Sequence, residues 1–254
     1  MKHLLLLAAL AAAVLSAACS SGGGRSGSDQ VPLEQAGPIG SGADMVWYYR
    51  ARGRPRSVVV FLHGYGGARE ETPANHVAWL KHLAAMGSDV IYPRYEVGGL
   101  PDPFPHLDAG VAEAMRRLGN PDLPRVVIGY SRGARIGVDY AAFEAARGRE
   151  PDAVLAVFPG LSAPGERLGP LNKLDRKIKI VLMVGDRDTG VGSVGARMIL
   201  ARLAQVGFPP QQISVVGVRS TARFSATHLS VLETSAGARA AFWKPADRLI
   251  ESAR

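Results

Sequence analysis

The sequence predicts a single-domain α/β fold in which helices cover both faces of a mostly parallel sheet. From Ala43 onward, short apolar runs alternate with longer amphipathic or alanine-rich segments, as when helices cross between parallel strands. Several runs, such as 58–62 and 178–184, are apolar at nearly every position, which is typical of strands buried on both faces. The 254 residues are enough for one large domain, and no charge block or proline-rich linker divides them.

The individual elements follow from this alternation. Strands are predicted at 45–49, 57–62, 89–92, 125–129, 153–157, 178–184 and 213–218. Helices are predicted at 75–85, 107–118, 134–147, 194–206 and 245–253. Pro245 suits the first turn of the last helix, where its missing N–H costs nothing, so 236–243 is predicted to be a separate short helix.

The N-terminus has the pattern of an export signal. An apolar segment at 4–14 follows Lys2 and is too short for the roughly 20 residues of a membrane-spanning helix, so 1–18 is predicted to be a signal peptide. The signal ends in Leu-Ser-Ala-Ala-Cys, which resembles a bacterial lipobox, and this resemblance implies that Cys19 is lipidated and anchors the chain to a membrane. The alternative is a cut after the small residues before Cys19, giving a soluble secreted or periplasmic protein. Residues 19–42 are predicted to be a flexible tether, and 43–254 a single folded α/β domain.

Composition limits the classes of partner. The formal net charge is +8, but the arginines are scattered without a run of five, so a solvated surface is favoured and no nucleic-acid partner is expected. Cys19 is the only cysteine, which excludes an intramolecular disulfide.

The most specific motif is Gly-Tyr-Ser-Arg-Gly at 129–133, between a predicted strand and a predicted helix. A serine hydroxyl is a poor nucleophile, and a G-x-S-x-G turn in this setting lifts it out beside a base and above backbone donors. Ser131 is therefore the candidate nucleophile. The alternative interpretation is a plain strand-to-helix turn rich in small residues.

Other candidate residues also follow predicted strands, at the edge where open α/β sheets place their sites. Asp186 and Asp188 come after the strand at 178–184, and His228 lies beyond the last strand. Serine, acid and histidine in this chain order are typical of α/β hydrolases. His106 is the rival base, although it precedes the serine. His76 and His82 are expected on the surface of a helix.

From Ala43 to its end the chain resembles the α/β-hydrolase superfamily, and within it the esterases and lipases. His-Gly-Tyr-Gly-Gly at 63–67 is similar to the loop that follows the third strand in that family. The resemblance implies that backbone N–H groups of Tyr65 and Arg132 form an oxyanion hole, that His63 is structural, and that Asp188 rather than Asp186 serves His228, with Asp186 left open as the alternative.

These residues predict a serine hydrolase that cleaves carboxylic esters through an acyl-enzyme on Ser131. A peptidase or thioesterase with the same triad, and a binding lipoprotein without activity, are the alternatives. Only a short loop separates the strands at 153–157 and 178–184, so no large cap is expected. The open cleft would be bordered by Tyr65 and four substrate-binding aromatic residues, suiting short acyl chains or polymer-borne esters. Those four are Phe104, Tyr130, Phe158 and Phe224.

No cofactor or metal is expected. Gly190, Gly192 and Gly195 match G-x-G-x-x-G, but they do not directly follow the strand and two aspartates stand close to where a pyrophosphate would bind. These glycines are better explained as the turn after the acid. No pair of histidines has the spacing of metal ligands. The side chain of Arg132 has two open roles, substrate contact or packing.

Overall fold

The structure is a computed structural model that describes residues 33–96, 102–162 and 164–253. The predicted signal peptide, Cys19 and most of the predicted tether lie outside the described residues. The strands are β1 (Gln35–Ile39), β2 (Val46–Tyr49), β3 (Ser57–Leu62), β4 (Ser88–Pro93), β5 (Arg125–Tyr130), β6 (Ala153–Val157), β7 (Lys179–Gly185) and β8 (Ile213–Val218). The α-helices are α1 (Val77–Ala85), α2 (Phe104–Leu118), α3 (Arg132–Ala145), α4 (Val194–Gln205), α5 (Ala236–Ala238) and α6 (Lys244–Ser252).

All eight strands form one sheet in the order β1-β2-β4-β3-β5-β6-β7-β8. The pairs β1–β2 and β2–β4 are antiparallel, and the five remaining pairs, from β4–β3 to β7–β8, are parallel. The predicted mostly parallel single-domain fold is thereby confirmed.

Helices pack on both faces of the sheet, and alternate side chains of each strand point to opposite faces. In β3, Val58, Val60 and Leu62 join the core under α2, α3 and α4. Val59 and Phe61 join the core under α1 and the C-terminal helices. Every residue of β3 is buried, which explains its uninterrupted apolar sequence.

Most candidate functional residues lie at one edge of the sheet. The strands β3, β5, β6, β7 and β8 run parallel, so their carboxyl ends meet at the same edge. The loops that follow them begin at His63, Ser131, Phe158, Asp186 and Arg219. Nearly all candidate residues therefore lie at this edge.

Three predicted elements need correction. β1 lies inside the predicted tether and pairs with β2, so the folded domain begins before Ala43. α2 begins at Phe104, three residues earlier than predicted, because Pro105 occupies its first turn. The predicted separate helix at 236–243 continues into α6 through a π-helical segment, Arg239–Trp243, which widens the helix just before Pro245.

Within the described residues, none of the helices is long and apolar enough to cross a membrane.

Candidate active site

Ser131 lies on a strained turn between β5 and α3. Its backbone has φ 55° and ψ −119°, a conformation that costs a non-glycine residue about 1 to 3 kcal/mol. The flanking glycines permit this turn, because a Cβ on Gly129 would lie 2.2 Å from the carbonyl oxygen of Gly133. A Cβ on Gly133 would lie 2.3 Å from the carbonyl oxygen of Leu62. The turn is therefore held against β3 at a distance that only glycine allows.

A chain of hydrogen bonds connects three of the predicted site residues. His228 Nε2 lies 2.9 Å from Ser131 Oγ, and His228 Nδ1 lies 2.9 Å from Asp188 Oδ2. The other carboxylate oxygen of Asp188 accepts hydrogen bonds from the N–H groups of Gly190 and Val191, at 2.9 and 3.1 Å. The Asp188 side chain is fully buried and the His228 side chain is 21% exposed. The imidazole is thus fixed on one side and accessible on the other.

Asp186 has a different position. Its carboxylate accepts hydrogen bonds from the backbone N–H and the hydroxyl of Ser220, so it joins the loop after β7 to the loop after β8. These hydrogen bonds lower the pKa of Asp186. Of the two acids left open by the sequence, Asp188 is the one that contacts His228.

The glycines of the rejected dinucleotide motif surround Asp188 and His228. A Cβ on Gly190 would lie 3.3 Å from His228 Cβ, and one on Gly195 would lie 2.0 Å from the carbonyl oxygen of Pro159. These glycines let the loop after β7 approach the imidazole and the loop after β6. They shape the turn after the acid, as predicted.

The loop after β3 lies directly against Ser131. A Cβ on Gly64 would lie 3.2 Å from Ser131 Cβ, so the residue that precedes Tyr65 packs against the serine. The N–H of Arg132 belongs to the first turn of α3, where N–H groups have no carbonyl partner within the helix. Both predicted oxyanion donors therefore belong to residues at the serine.

A buried carboxylate that no sequence motif indicates holds this loop. Glu70 accepts hydrogen bonds from the N–H of Gly64, at 3.2 Å, and from Asn75 and His76. Burial raises the pKa of Glu70, but the hydrogen bonds from His76 and Asn75 and the nearby His76 charge outweigh it and lower the pKa to about 2. His76 is 2% exposed, so its predicted surface position is wrong. His76 sits before α1 and reaches inward to Glu70.

His63 is buried beneath the same loop. Its Nδ1 lies 2.7 Å from the carbonyl oxygen of Gly64, and its Nε2 lies 2.6 Å from that of Arg94. Burial lowers the pKa of His63, while the two backbone hydrogen bonds act in the opposite direction. The ring also stacks on Tyr95, with centroids 4.3 Å apart. His63 thus joins the loops after β3 and β4, in keeping with the structural role that the sequence suggested.

Arg132 directs its side chain into a buried cluster of charges. Its guanidinium contacts Glu96 and lies 2.8 Å from Glu166 Oε1. Arg135, one turn along α3, contacts the same oxygen of Glu166, and also Asp139. The Glu166 side chain is 1% exposed, so this cluster is almost dry. Of the two roles left open for Arg132, packing within an ionic cluster is the one found.

The predicted substrate-binding aromatic residues are buried. Phe104 is fully buried between α2 and α3, where it stacks on Phe143, so its predicted place on the cleft is wrong. Tyr130 and Phe158 lie under the imidazole of His228, with ring centroids 5.2 and 6.2 Å from it. They support the base and do not border an open cleft.

The remaining candidates are also accounted for. Phe224 is 8% exposed and packs edge-on against Phe242, so its assignment to the cleft wall is wrong as well. Tyr65, in contrast, is 72% exposed beside Ser131. His106 lies 2.7 Å from Asp44 Oδ1, whereas the histidine that bonds to Ser131 is His228. Within residues 33–96, 102–162 and 164–253, no group of three or more histidine, cysteine or acidic side chains could hold a metal ion.

Comparisons with known proteins agree with this architecture. No protein-family model matches the chain, and no curated protein matches it. Among solved structures, carboxyl esterase 2 from the mycorrhizal fungus Tuber melanosporum superposes with a TM-score of 0.61 at 14% identity, over 89% of this chain and 90% of that one. Esterase B from Lactobacillus rhamnosis, solved with a tributyrin phosphonate inhibitor, superposes with a TM-score of 0.63 at 14% identity, over 88% and 87%. An α/β hydrolase from a Medee basin deep-sea metagenome superposes with a TM-score of 0.58 at 17% identity, over 87% and 97%. The chain therefore has the α/β-hydrolase fold.

Proposed function

We propose that this protein is a serine hydrolase that cleaves carboxylic esters through an acyl-enzyme on Ser131. The observation that carries the proposal is the pair of 2.9 Å hydrogen bonds that connect Ser131, His228 and Asp188. A nucleophile bonded to a base, and a base oriented by an acid, is the arrangement that activates a serine. The esterases among the structural neighbours support the same reaction class.

In the first step, Ser131 Oγ attacks the ester carbonyl carbon while its proton moves to His228 Nε2. Asp188 holds the Nδ1–H of the ring, which leaves Nε2 free of hydrogen and able to accept that proton. The imidazolium then gives the proton to the leaving alcohol, and the acyl group remains on Ser131. Water attacks the acyl-enzyme with His228 again as base, which releases the acid.

The tetrahedral intermediates place a negative charge on the former carbonyl oxygen. In our proposal the N–H groups of Tyr65 and Arg132 donate to this oxygen, and loss of one such donor costs about 3 to 4 kcal/mol. The charge would also lie at the N-terminus of α3, a 14-residue helix whose dipole favours an anion there. The hydrogen bond from Gly64 to Glu70 and the ion pairs of Arg132 hold the two donors in place.

The substrate class follows from what surrounds Ser131. Among the described residues between β6 and β7, the only helical segment is the 3-10 turn Leu171–Lys173, so no helical cap covers the serine there. The exposed side chain of Tyr65 stands at the site mouth. We therefore expect short acyl chains, or esters carried on larger molecules, to be preferred.

Hydrolysis of nitrophenyl esters over a series of acyl lengths tests this proposal. The expected result is turnover that is highest for short chains and is abolished in Ser131→Ala, while Ser214→Ala, an exposed serine on β8, keeps wild-type turnover. Thioester and peptide substrates in the same assay separate the alternative activities. Undiminished turnover in Ser131→Ala would refute the mechanism, and a strong preference for long chains would refute the open site.

We further propose that the protein is exported and anchored by a lipid on Cys19. The proposal rests on the sequence alone, namely the apolar segment 4–14 and the lipobox-like Leu-Ser-Ala-Ala-Cys. Expression in a bacterium with radiolabelled palmitate should label the wild type in the membrane fraction. Cys19→Ser should be unlabelled. Equal labelling of both proteins, or of neither, would contradict lipidation.

A further inference from the structure

Three exposed apolar residues directly follow residues that contact the turn at Ser131. Tyr65 is 72% exposed, Leu229 is 65% exposed and Leu161 is 52% exposed. Single exposed apolar residues are common on soluble proteins, but a group on one face needs an explanation. Here the group occupies three separate loops, which follow β3, β6 and β8.

Each of the three residues directly follows, in sequence, a residue that contacts the turn at Ser131. Tyr65 follows Gly64, whose Cβ position is 3.2 Å from Ser131 Cβ. Leu229 follows His228, which bonds to the serine hydroxyl.

Leu161 stands in the same relation to the turn. It follows Gly160, whose N–H donates to the carbonyl oxygen of Ser131. We call the three exposed residues Tyr65, Leu161 and Leu229 the apolar rim, because each directly follows a residue that contacts the turn at Ser131.

Exposed positive charge lies at the same edge of the sheet as the apolar rim. Four exposed arginines lie on the loops after β3, β7 and β8, at the same edge of the sheet: Arg69, Arg187, Arg219 and Arg223. Among the described residues, none of these arginines takes part in a salt bridge. Asp186, the exposed carboxylate closest to them in sequence, bonds to Ser220 and also feels the charges of Arg187 and Arg219, without a salt bridge to either.

We propose that this face docks on an anionic lipid surface, with the apolar rim entering the headgroup layer and the arginines contacting lipid phosphates. Exposed apolar residues and arginines bind such surfaces together. The apolar side chains contribute by burial among the lipids, and the arginines by attraction to anionic headgroups. A protein partner would need carboxylates placed to match all four arginines, whereas an anionic lipid surface presents phosphates across its whole area. The inference extends the proposed function, since docking brings ester bonds at a lipid surface to Ser131.

Vesicle co-sedimentation tests the proposal. The protein is a Ser131→Ala chain that begins at Ser20, which keeps every described strand and helix and lacks the apolar segment 4–14. The expected result is binding to phosphatidylcholine vesicles that contain phosphatidylglycerol, at least roughly tenfold tighter than to phosphatidylcholine alone. Arg187→Gln with Arg219→Gln should remove most of that difference.

A matched pair of double variants tests the apolar rim. Leu161→Ser with Leu229→Ser should weaken vesicle binding by roughly tenfold or more, because both side chains enter the lipid. Val215→Ser with Val216→Ser changes two exposed apolar residues on the edge strand β8 and should leave binding within about twofold. Circular dichroism and Tm of each variant identify any that fail to fold.

Absence of binding to either kind of vesicle would overturn the proposal. So would equal weakening of binding by the leucine and the valine double variants. Loss of binding in the arginine double variant, with normal binding in the leucine double variant, would mean simple charge attraction and would overturn it as well. Vesicle binding is measured in the inactive Ser131→Ala protein and ester hydrolysis in the wild type. Either measurement can therefore fail while the other succeeds. Failure of the docking and failure of the proposed activity are therefore distinguishable.

Discussion

Replacement of Glu166 by glutamine should destabilise the domain and slow the reaction. The Oε1 atom of Glu166 serves both Arg132 and Arg135, and the side chains of the three residues are 1%, 11% and 3% exposed. Removal of one partner from a buried ion pair costs about 3 to 5 kcal/mol, and glutamine, which keeps an acceptor oxygen, belongs at the lower end. For a domain of this size, a loss of about 3 kcal/mol lowers Tm by roughly 6 to 12 °C.

Calorimetry and ester kinetics measure the two effects. Because Arg132 also supplies a proposed oxyanion donor, kcat should fall more than KM rises. Glu113→Gln is the control, since Glu113 pairs with Arg116 and Arg117 on an exposed face of α2 and such pairs contribute little. A Glu166→Gln protein with the Tm and kcat of the wild type would refute the structural importance of this buried charge.

Three further changes should have distinct outcomes. Gly133→Ala places a Cβ 2.3 Å from backbone oxygens and should lower Tm by several degrees and impair turnover. The control is Gly217→Ala, whose Cβ meets nothing within 4 Å and which should change neither quantity. A Gly133→Ala protein with the wild-type Tm would contradict the tight turn. The pKa of Glu70 falls from 4.5 to about 2, so the folded state binds fewer protons than the unfolded state, and roughly 3 kcal/mol of stability should disappear as pH falls from 4.5 towards 2. Urea unfolding across that range should show a shallower loss for Glu70→Gln, and parallel curves would exclude this cause. Asp188→Asn should lower kcat by about 10³ to 10⁴ while Asp186→Asn stays within a few-fold, and equal effects would contradict the assignment of the acid.

Much of the sheet could be predicted from the sequence because β3, β5 and β6, at its centre, are apolar strands buried on both faces. β3, β6 and β8 have the predicted bounds, and β5 and β7 differ by a residue or so at an end. β1 was missed because Gln-Ala-Gly-Pro-Ile has no apolar alternation and lies at the sheet edge, where backbone pairing with β2 is its main constraint.

The positions of Ser131 and Asp188 could be predicted because each closely follows an interior strand, β5 or β7, and that of His228 because it lies beyond the last strand at the same edge of the sheet. The side chains around them could not be predicted, because their partners are distant in sequence. Arg132 meets Glu166 34 residues later, and nothing local marks that pair. The predicted exposure of Phe104 and His76 was wrong for a related reason. The sequence near a loop does not indicate whether an aromatic or histidine side chain faces solvent or the core.

Labelling with a fluorophosphonate probe, followed by peptide mass spectrometry, tests the central claim most directly. The probe reacts with a serine whose proton is removed by a neighbouring base, as in the chain from Ser131 through His228 to Asp188. The proposal predicts one labelled peptide that carries the adduct on Ser131, and loss of the adduct in His228→Ala. A folded wild-type protein that stays unlabelled, or that is labelled at another serine, would contradict it.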